Sequence, residues 1–466
     1  MTGMAEDPGA LLPEIAVGLA AVLGLLLGSW LPRHRQWLVR LLAAIGCAVG
    51  IAATGVAMTG ADRTVFGGSY AVDTGLNLTR LVVLSGTLLV LALSSGAIAG
   101  HHRETEYCVL LLLGALGAMT LAGANDLLLV IAAYLLASVP LYALAGFGAD
   151  PPGTEAALKY YLLGALFGVL LMLGVTTLYA AGGGTDYSTL AGTLPGAPRT
   201  LVDAGMVGVF GGLLFKAGGV PAQFWVPDVA EGAGTPAAAY VTTIPKIGAL
   251  VALYRLVDGV LPGRTVLAVV AAATMTLGNL AAFGQTSPRR LLGYSTVSQV
   301  GYLLLAVAAA GRAPLAWPAL GSYLAGYAVT NIGAFAVLAA LPAATLDGHR
   351  GMLVRHRWLA LALVVCLLGL VGTPPTAVFV GKLTVFTAAL DAGYGVLVVL
   401  AAANTVASLF YYLRWIVRLG QPAADGPVPA AARWPAVVAV AAAALSVLLG
   451  LAAQPVLHGI TGPLIR

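Results

Sequence analysis

Residues 215–255 read FKAGGVPAQFWVPDVAEGAGTPAAAYVTTIPKIGALVALYR, and this stretch decides the fold class. Two lysines, Lys216 and Lys246, stand among apolar residues, and a Gly-Gly pair with Pro221 follows the first of them. A charged side chain inside a membrane helix costs about 3 kcal/mol on insertion scales and marks a functional site by default. A helix that glycine and proline interrupt beside such a charge is typical of membrane transporters. The stretch therefore predicts membrane helices with titratable groups in their interior.

The rest of the chain is equally apolar. Of its 466 residues, 60% are hydrophobic and only 9% are charged, whereas a soluble domain has roughly 25% charged residues. Apolar runs of about twenty residues recur, which is the length that a helix needs to cross the hydrocarbon core. Backbone groups in lipid must be hydrogen-bonded within their own segment, so these spans are helices. The predicted fold class is all-α: a polytopic membrane protein with about 14 transmembrane helices.

The spans were located with windows of about nineteen residues. The first set lies near 10–31, 37–58, 76–99, 106–123, 125–148, 157–181 and 201–221. The second set lies near 235–257, 265–284, 289–311, 315–342, 357–387, 390–417 and 434–456. Two Gly/Pro-rich connectors, 182–200 and 419–432, are interpreted as loops.

Basic residues divide unequally between the two ends of these spans, by about two to one. The richer end has Arg33, Arg35, Arg40, Arg103, Lys159, Arg289, Arg290, Arg350, Arg355, Arg357, Arg414, Arg418 and Arg433. The other end has Arg63, Arg80, Arg199, Arg255, Arg264, Arg312 and Arg466. The positive-inside rule makes the richer end cytoplasmic, and an even number of spans then places both termini outside. Scattered loop arginines also account for the net charge of +5, so no nucleic-acid partner is predicted.

Cysteine and histidine do not form a metal-binding pattern. The three cysteines are isolated within or at the ends of apolar runs, and the six histidines lie near span ends or in loops. Neither set has the spacing of a zinc site, a haem pair or a disulfide framework. The sequence therefore predicts no metal site.

Lysine is confined to four positions, whereas arginine supplies most of the positive charge. Lys216, Lys246 and Lys382 fall inside apolar spans, and Lys159 lies at the start of one. A buried lysine shifts its pKa readily and can release its proton, whereas arginine stays protonated. Keeping lysine for the membrane interior and arginine for the loops predicts titratable groups along a proton path. A structural lysine that pairs across helices is the alternative at each position.

The surroundings of Lys382 repeat those of Lys216. Lys382 lies in GTPPTAVFVGKLTVF, after a glycine and two prolines. Two Gly/Pro-broken spans in separate halves of the chain predict two inverted repeats with ion sites near the bilayer midplane. Each break frees backbone carbonyls that can hold water and charge. Lys246 follows a proline between the two breaks and is predicted to act as a relay.

These segments resemble subunit N of NADH–quinone oxidoreductase, within the wider family of antiporter-like proton-pumping subunits. Residues 215–255 are similar to that family's signature across its seventh and eighth helices, and WVPDVAEG at 225–232 favours subunit N over subunits L and M. Further similar segments are LLPE at 11–14, EYCVLLLLGALGAMTLAGANDLLL at 106–129, EAALKYYLLGA at 155–165, RRLLGYSTVSQVGYLL at 289–304, YLAGYAVTNIGAFAV at 323–337, GTPPTAVFVGK at 372–382 and SLFYYLR at 408–414. The resemblance thus extends over nearly the whole chain.

The resemblance implies a division of the chain and a function. An N-terminal three-helix segment would occupy 1–104, two antiporter-like repeats 105–258 and 259–418, and a C-terminal helix 419–466. The chain would be a proton-translocating, non-redox membrane-arm subunit of an NADH–quinone oxidoreductase in the bacterial plasma membrane. Quinone reduction in the complex would be coupled to proton pumping.

The resemblance also implies roles for residues and partners. Lys216, Lys246 and Lys382 match the family's central-axis lysines and would form the proton path. The chain itself would bind no cofactor, since NADH, FMN, iron–sulfur clusters and quinone would bind to partner subunits. Its expected partners are other membrane-arm and peripheral-arm subunits, the lipid bilayer and protons.

Three positions depart from the family pattern, of which Gly234, in place of a common proline, is neutral. Leu136 stands where the family usually has a fifth-helix glutamate that pairs with the seventh-helix lysine. Lys216 is therefore expected to lack a carboxylate partner. Gln299 stands where subunit N often has histidine, although related subunits also have glutamine there.

Several charged residues near the span ends have two interpretations. Asp228 and Glu231 are placed in a turn between two spans, where they either order the loop or form the mouth of a proton uptake path. Glu155 and Lys159 are four residues apart at a helix start and form an ordinary ion pair, although Lys159 could also belong to the path. Glu14 is either a buried acid or a residue at the membrane surface.

Three other functions agree with the same residues. The chain could be a subunit of a cation/proton antiporter. It could be a structural paralogue that no longer pumps, because Leu136 replaces the expected glutamate. It could also belong to a related hydrogenase-type complex.

Overall fold

The computed structural model describes residues 7–422, 430–462 and 464–465. Within these ranges, thirteen helices are long and apolar enough to cross a membrane. One further apolar span is divided into two shorter helices. The predicted all-α bundle is therefore confirmed. Residues 423–429 of the predicted connector 419–432 lie outside the described residues.

Three spans form the N-terminal part of the bundle, with a small hairpin before the third. The helices are α1 (Leu12–Trp30), α2 (Trp37–Ala57) and α3 (Thr74–Ile98), and the strands are β1 (Arg63–Val65) and β2 (Tyr70–Val72). The strands are antiparallel, with Arg63 opposite Val72. This hairpin was not predicted, because strands of three residues are too short to show an alternating pattern.

Nine helices follow, and three of the spans that they form are interrupted. They are α4 (Glu104–Gly123), α5 (Leu127–Leu136), α6 (Val139–Ala145), α7 (Pro151–Gly182), α8 (Tyr187–Thr193), α9 (Arg199–Ala217), α10 (Trp225–Gly232), α11 (Thr235–Thr243) and α12 (Pro245–Gly259). The span α5–α6 breaks at 137–138, α9 and α10 are separated by 218–224, and α11 and α12 are separated by Ile244.

The remaining helices complete the bundle. They are α13 (Arg264–Phe283), α14 (Pro288–Ala308), α15 (Ala316–Ala340), α16 (Met352–Arg355), α17 (Arg357–Val371), α18 (Ala377–Asp391), α19 (Gly395–Gly420), α20 (Arg433–Leu451) and α21 (Ala453–Gly459). The break between α17 and α18 interrupts the fourth span after α12, as the break between α9 and α10 interrupts the fourth span after α3. The repeat boundaries at 105–258 and 259–418 stay a prediction.

The connector 182–200 is more ordered than the predicted loop. It contains α8, whose N-terminus is capped by the Asp186 carboxylate accepting from the N–H of Thr189 at 2.8 Å. Tyr187 and Leu190 of this helix are fully buried. The prediction of a loop was wrong here, because a seven-residue helix with two anchoring side chains leaves no periodic signal among glycines and prolines.

The interior of the bundle is formed by α11, α12, α14 and α15. In the most apolar window of the span Thr235–Gly259 every residue is buried, whereas the buried share is 33% for α7 and 28% for α19. The peripheral helices expose leucine and valine side chains to their surroundings, as helices that face lipid do. Polar groups in the interior helices are therefore screened from lipid by the outer ones.

Charged residues collect at the two ends of the bundle. We call the end where Lys159, Asp228 and Arg290 meet the basic face. The end where Asp73 meets Arg255 is called the opposite face. Lys159 and Arg290, which the count of basic residues assigns to the same end of the spans, both pair with Asp228 at the basic face, in agreement with the predicted alternation.

Two arginines that the sequence analysis counts at the ends of spans are buried. Arg80 donates to Glu14 through Nε at 2.7 Å and Nη2 at 2.6 Å. Arg255 donates to Asp73 through Nη1 at 2.8 Å and Nη2 at 2.6 Å. The prediction that arginine stays in the loops was wrong at these positions, because a carboxylate that accepts two parallel hydrogen bonds stabilises a buried guanidinium. Glu14 is accordingly a buried acid.

Candidate proton path

Lys216 lies in the last turn of α9, directly before that span is interrupted. Its side chain is buried, and Nζ donates a hydrogen bond of 2.8 Å to the carbonyl oxygen of Ala137. Nζ also lies 5.1 Å from the centre of the Tyr134 ring. Gly218 ends α9 at φ +82°, a conformation that glycine adopts without strain. The end of α9 therefore meets the break between α5 and α6.

The carbonyl that accepts from Lys216 is free because α5 and α6 are separate helices. Pro140 lies three residues after Ala137 and has no N–H, and the N–H of the next residue bonds to another carbonyl. Leu136, which replaces the expected glutamate, directly precedes this carbonyl. Among the described residues, Lys216 has a neutral acceptor where the family pattern implies a carboxylate.

Lys246 is the second residue of α12 and is fully buried. Its Nζ has no hydrogen-bond partner among the described residues and lies 5.9 Å from the centre of the Tyr327 ring. A Cβ atom at Gly218 would lie 4.0 Å from this nitrogen, so Lys246 comes close to the end of α9. A lysine in such a place must be hydrated or give up its proton, since burying an unpaired charge is very unfavourable.

Lys382 lies in α18 and reaches back to the C-terminal end of α17. Its Nζ donates to the carbonyl oxygens of Val371 at 2.9 Å and Leu370 at 3.3 Å. The last carbonyls of a helix have no partner within that helix, so they are available to a cation. Nζ lies 4.2 Å from the centre of the Tyr302 ring. Gly372, at φ +90°, leaves room for the lysine, because a Cβ atom there would lie 2.9 Å from Lys382 Cδ.

A row of hydroxyl and amide side chains extends from Lys246 along α14. Tyr327, whose ring faces Lys246, donates to Oγ1 of Thr296 at 3.0 Å. Gln299 lies three residues further along α14, and residues at that spacing share one face of a helix. These side chains are all buried.

Gln299 completes the connection to Lys382. Its Oε1 accepts a hydrogen bond from the hydroxyl of Tyr323, and its Nε2 donates to the Leu370 carbonyl at 2.7 Å. The same carbonyl accepts from Lys382. The sequence had singled out Gln299 only as a departure from the family pattern, and the two tyrosines of α15 not at all, because buried hydroxyls have no periodic signature.

A charged cavity opens at the basic face. Its volume is about 490 Å³, and its lining includes Glu155, Lys159, Asp228, Glu231 and Arg290. Lys159 pairs with Glu155 at 2.7 Å and Asp228 at 3.3 Å. Arg290 pairs with Asp228 at 2.9 Å and Glu231 at 3.1 Å. The cavity thus has a continuous row of alternating charges.

Asp228 and Glu231 do not lie in a turn, as the sequence had suggested. Both belong to α10. Asp228 is in the first turn of this helix, where the positive end of the helix dipole stabilises a carboxylate. The prediction of a turn was wrong, because an eight-residue helix that contains a proline reads as a loop. The helix fixes both carboxylates on the cavity wall.

The comparisons with known proteins fit this arrangement. A family model described as NADH:quinone oxidoreductase/Mrp antiporter, transmembrane, matches residues 124–408. NADH-quinone oxidoreductase subunit N 1 of Streptomyces griseus is 56% identical over 462 residues, which cover 98% of each chain. Subunit N of Mycobacterium sp. strain JLS is 52% identical over 465 residues, which cover 98% of this chain and 99% of the other. This chain belongs to the subunit N family of NADH–quinone oxidoreductase.

One chain of a solved complex also resembles this protein. A chain of respiratory complex I from Thermus thermophilus superimposes with a TM-score of 0.85 at 32% sequence identity, covering 96% of this chain and 99% of that chain. The chain is therefore a multi-pass subunit of the membrane arm, which assembles with other subunits.

The fold brings the predicted site residues together in two groups. Lys159, Asp228 and Glu231 meet at the basic-face cavity. The three lysines of the interior, Lys216, Lys246 and Lys382, are separate from that cavity and lie beside the breaks in their own or neighbouring helices.

Proposed function

We propose that this subunit translocates protons through its buried lysines and carries out no redox chemistry itself. The observation that carries the proposal is the contrast between buried lysines and buried arginines. Arg80 and Arg255 each bond to a carboxylate. Among the described residues, Lys216 and Lys382 bond only to carbonyls, and Lys246 has no hydrogen-bond partner. Arginine keeps its charge and needs a counter-ion when buried, whereas lysine can exchange its proton.

The breaks in the helices support a separate role for each lysine in this proposal. Lys216 and Lys382 are the ionisable groups of two half-channels, since each bonds to a carbonyl that a helix break has freed. Lys246 connects them, because it lies near Gly218 on one side and Tyr327 on the other.

The basic-face cavity is the proposed mouth of the uptake path. Protons can be taken up and released there by the side chains of Asp228, Glu231 and Lys159. The excess of basic residues supports a cytoplasmic location for this face. Backbone oxygens of Ala10 and Ile465 bond to the buried arginines of the opposite face. This supports a bacterial plasma-membrane protein with both termini outside.

The proposal leaves electron transfer to the partner subunits. These would hold the FMN and iron–sulfur clusters and bind NADH and quinone, while this chain binds no cofactor. Quinone reduction in the partner subunits would change the charge and the hydration of groups in the interior of this chain.

The test is proton uptake by inverted membrane vesicles that contain the intact complex. Lys216→Ala and Lys382→Ala should each lower NADH-driven proton uptake while the complex still assembles on native gels. Arg199→Ala is the matched control, since it removes a positive charge from the same helix as Lys216 at a side chain that is 93% exposed. Wild-type uptake in either lysine variant would refute the proposed path.

A second candidate function is a structural paralogue that no longer pumps. Leu136 favours it, because the carboxylate partner implied for Lys216 is absent from the sequence. Under this alternative, loss of the subunit would prevent assembly, yet neither lysine substitution would change proton uptake.

A further inference from the structure

An aromatic layer lies next to residues that line the basic-face cavity. The Trp225 ring stacks on the Tyr160 ring with centres 4.2 Å apart, and its Nε1 donates to the carbonyl of Phe215 at 2.9 Å. Tyr160 directly follows Lys159, which lines the cavity. This layer therefore links the neighbour of Lys159 to Phe215, the residue directly before Lys216.

Three tyrosine side chains lie one after another beside α7, starting at this layer; Tyr160 belongs to α7, Tyr142 to α6 and Tyr134 to α5. Tyr160 is part of α7, a Cβ atom at Gly164 would overlap the hydroxyl of Tyr142, and a Cβ atom at Gly168 would lie 3.4 Å from the Tyr134 ring. Residues four apart are about 6 Å apart along a helix. The three tyrosines, which we call the tyrosine ladder, therefore extend over about 12 Å of the bundle.

Ring contacts join Tyr160 to Tyr142, and Tyr134 to Lys216. The rings of Tyr160 and Tyr142 meet edge to face with centres 4.7 Å apart. The ring of Tyr134 lies 5.1 Å from Lys216 Nζ. The ladder thus begins at the residue next to Lys159, which lines the cavity, and ends beside the ammonium group of Lys216.

The hydroxyl groups at the two ends of the ladder have no hydrogen-bond partner in the part of the protein that the structure describes. Tyr134 and Tyr160 are at most 1% exposed, and neither hydroxyl has a hydrogen-bond partner among the described residues. A buried hydroxyl that forms no hydrogen bond costs about 1–3 kcal/mol, and buried water commonly provides the bond. Phenylalanine would fill the same space without this cost, so the two hydroxyls point to a role beyond packing.

We propose that the hydroxyls of Tyr160 and Tyr134, bridged by water, relay protons from the basic-face cavity to Lys216 in place of the fifth-helix glutamate. Each hydroxyl accepts a proton on its oxygen and releases its own proton to the next water or to the lysine. The tyrosines are neutral before and after each transfer, and the amine of Lys216 becomes an ammonium group. Leu136 offers no such group. This inference rests on the proposed function, because it requires Lys216 to exchange a proton.

The test is the double variant Tyr134→Phe/Tyr160→Phe in the intact complex. Phenylalanine keeps the ring stack on Trp225 and the ring beside Lys216, so only the hydroxyls are lost. NADH-driven proton uptake should fall to the level of Lys216→Ala. The matched control is Tyr187→Phe, which removes another buried hydroxyl without a partner among the described residues, in α8. Its uptake should equal that of the wild type.

A rescue separates a relay from a structural role. Leu136→Glu adds a carboxylate next to the carbonyl that accepts from Lys216, and it should restore uptake in the double tyrosine variant. Uptake that stays low in this triple variant would assign the tyrosines a structural role and overturn the relay. Wild-type uptake in the double variant, with loss in Lys216→Ala, would overturn the relay alone. Wild-type uptake in Lys216→Ala would overturn the proposed function as well.

Discussion

Gln299 and Lys382 donate hydrogen bonds to the same backbone oxygen, that of Leu370, at 2.7 and 3.3 Å. The carbonyl therefore keeps one donor when the lysine moves or loses its proton. Gln299 is held on its other side by the hydroxyl of Tyr323. Its amide is thus fixed beside Lys382 independently of the charge on that lysine.

Replacing Gln299 tests this arrangement. Gln299→Leu leaves the Tyr323 hydroxyl without its acceptor and should destabilise the protein by about 1–3 kcal/mol, with slower proton uptake. Gln299→His is the control, because its ring can still donate and accept. Thermal unfolding and vesicle uptake measure the two effects. Equal behaviour of the leucine variant and the wild type would show that the amide has no such role.

Lys382→Arg should abolish the contribution of this site to proton uptake as fully as Lys382→Ala does. A guanidinium group keeps its proton at all working pH values, and no carboxylate is bonded to Lys382 in the described structure. Uptake in inverted vesicles is the measurement. An arginine variant that pumps at the wild-type rate would show that proton release from this side chain is unnecessary.

The buried pair of Arg80 and Glu14 should behave as a unit. Removing one partner, as in Arg80→Met, leaves a buried carboxylate alone and should cost about 3–5 kcal/mol. The double variant Glu14→Met/Arg80→Met should lose less, because no unpaired charge remains. Thermal unfolding of the purified complex compares them. Additive losses would contradict a buried ion pair.

Gly372→Ala should impair uptake more than Gly393→Ala does. Both glycines have positive φ, +90° and +85°, so alanine strains the backbone by about 1–3 kcal/mol at either position. Only at Gly372 would the new Cβ also press on Lys382, at 2.9 Å from its Cδ, since the Gly393 position is open. Similar uptake in the two variants would show that the contact with the lysine is unimportant.

His349 should make stability depend on pH. Burial lowers the pKa of its imidazole, so the folded protein binds a proton less readily than the unfolded chain does. The contribution of the neutral His349 to the free energy of unfolding is fully present above the unfolded pKa of about 6.5. As the pH falls below that value, the unfolded chain binds a proton first, and the free energy of unfolding decreases by at most about 1.4 kcal/mol per pH unit. Thermal unfolding between about pH 5 and 8 should show this slope. His349→Gln should flatten it, and an unchanged slope would assign the effect to other groups.

Much of the fold was predictable because each membrane span must satisfy its own backbone hydrogen bonds. Apolar runs therefore gave the helices and their number, and the arginine count gave the alternation of their ends. The short elements were missed: the β1–β2 hairpin, α8 and α10. These short elements are stabilised by anchoring contacts such as the Asp186 cap of α8. A local pattern of apolar and polar residues does not reveal such contacts.

The sequence by itself determined the membrane class, the family and the three lysines of the interior, because a lysine within an apolar run is visible without any contact. Only the tertiary structure decided what surrounds those lysines. It paired Arg80 and Arg255 with carboxylates, gave Lys216 a carbonyl freed by Pro140, and placed the tyrosine ladder between the cavity and that lysine. These relations join residues far apart in the chain, and their energies depend on burial and orientation, which a one-dimensional pattern does not record.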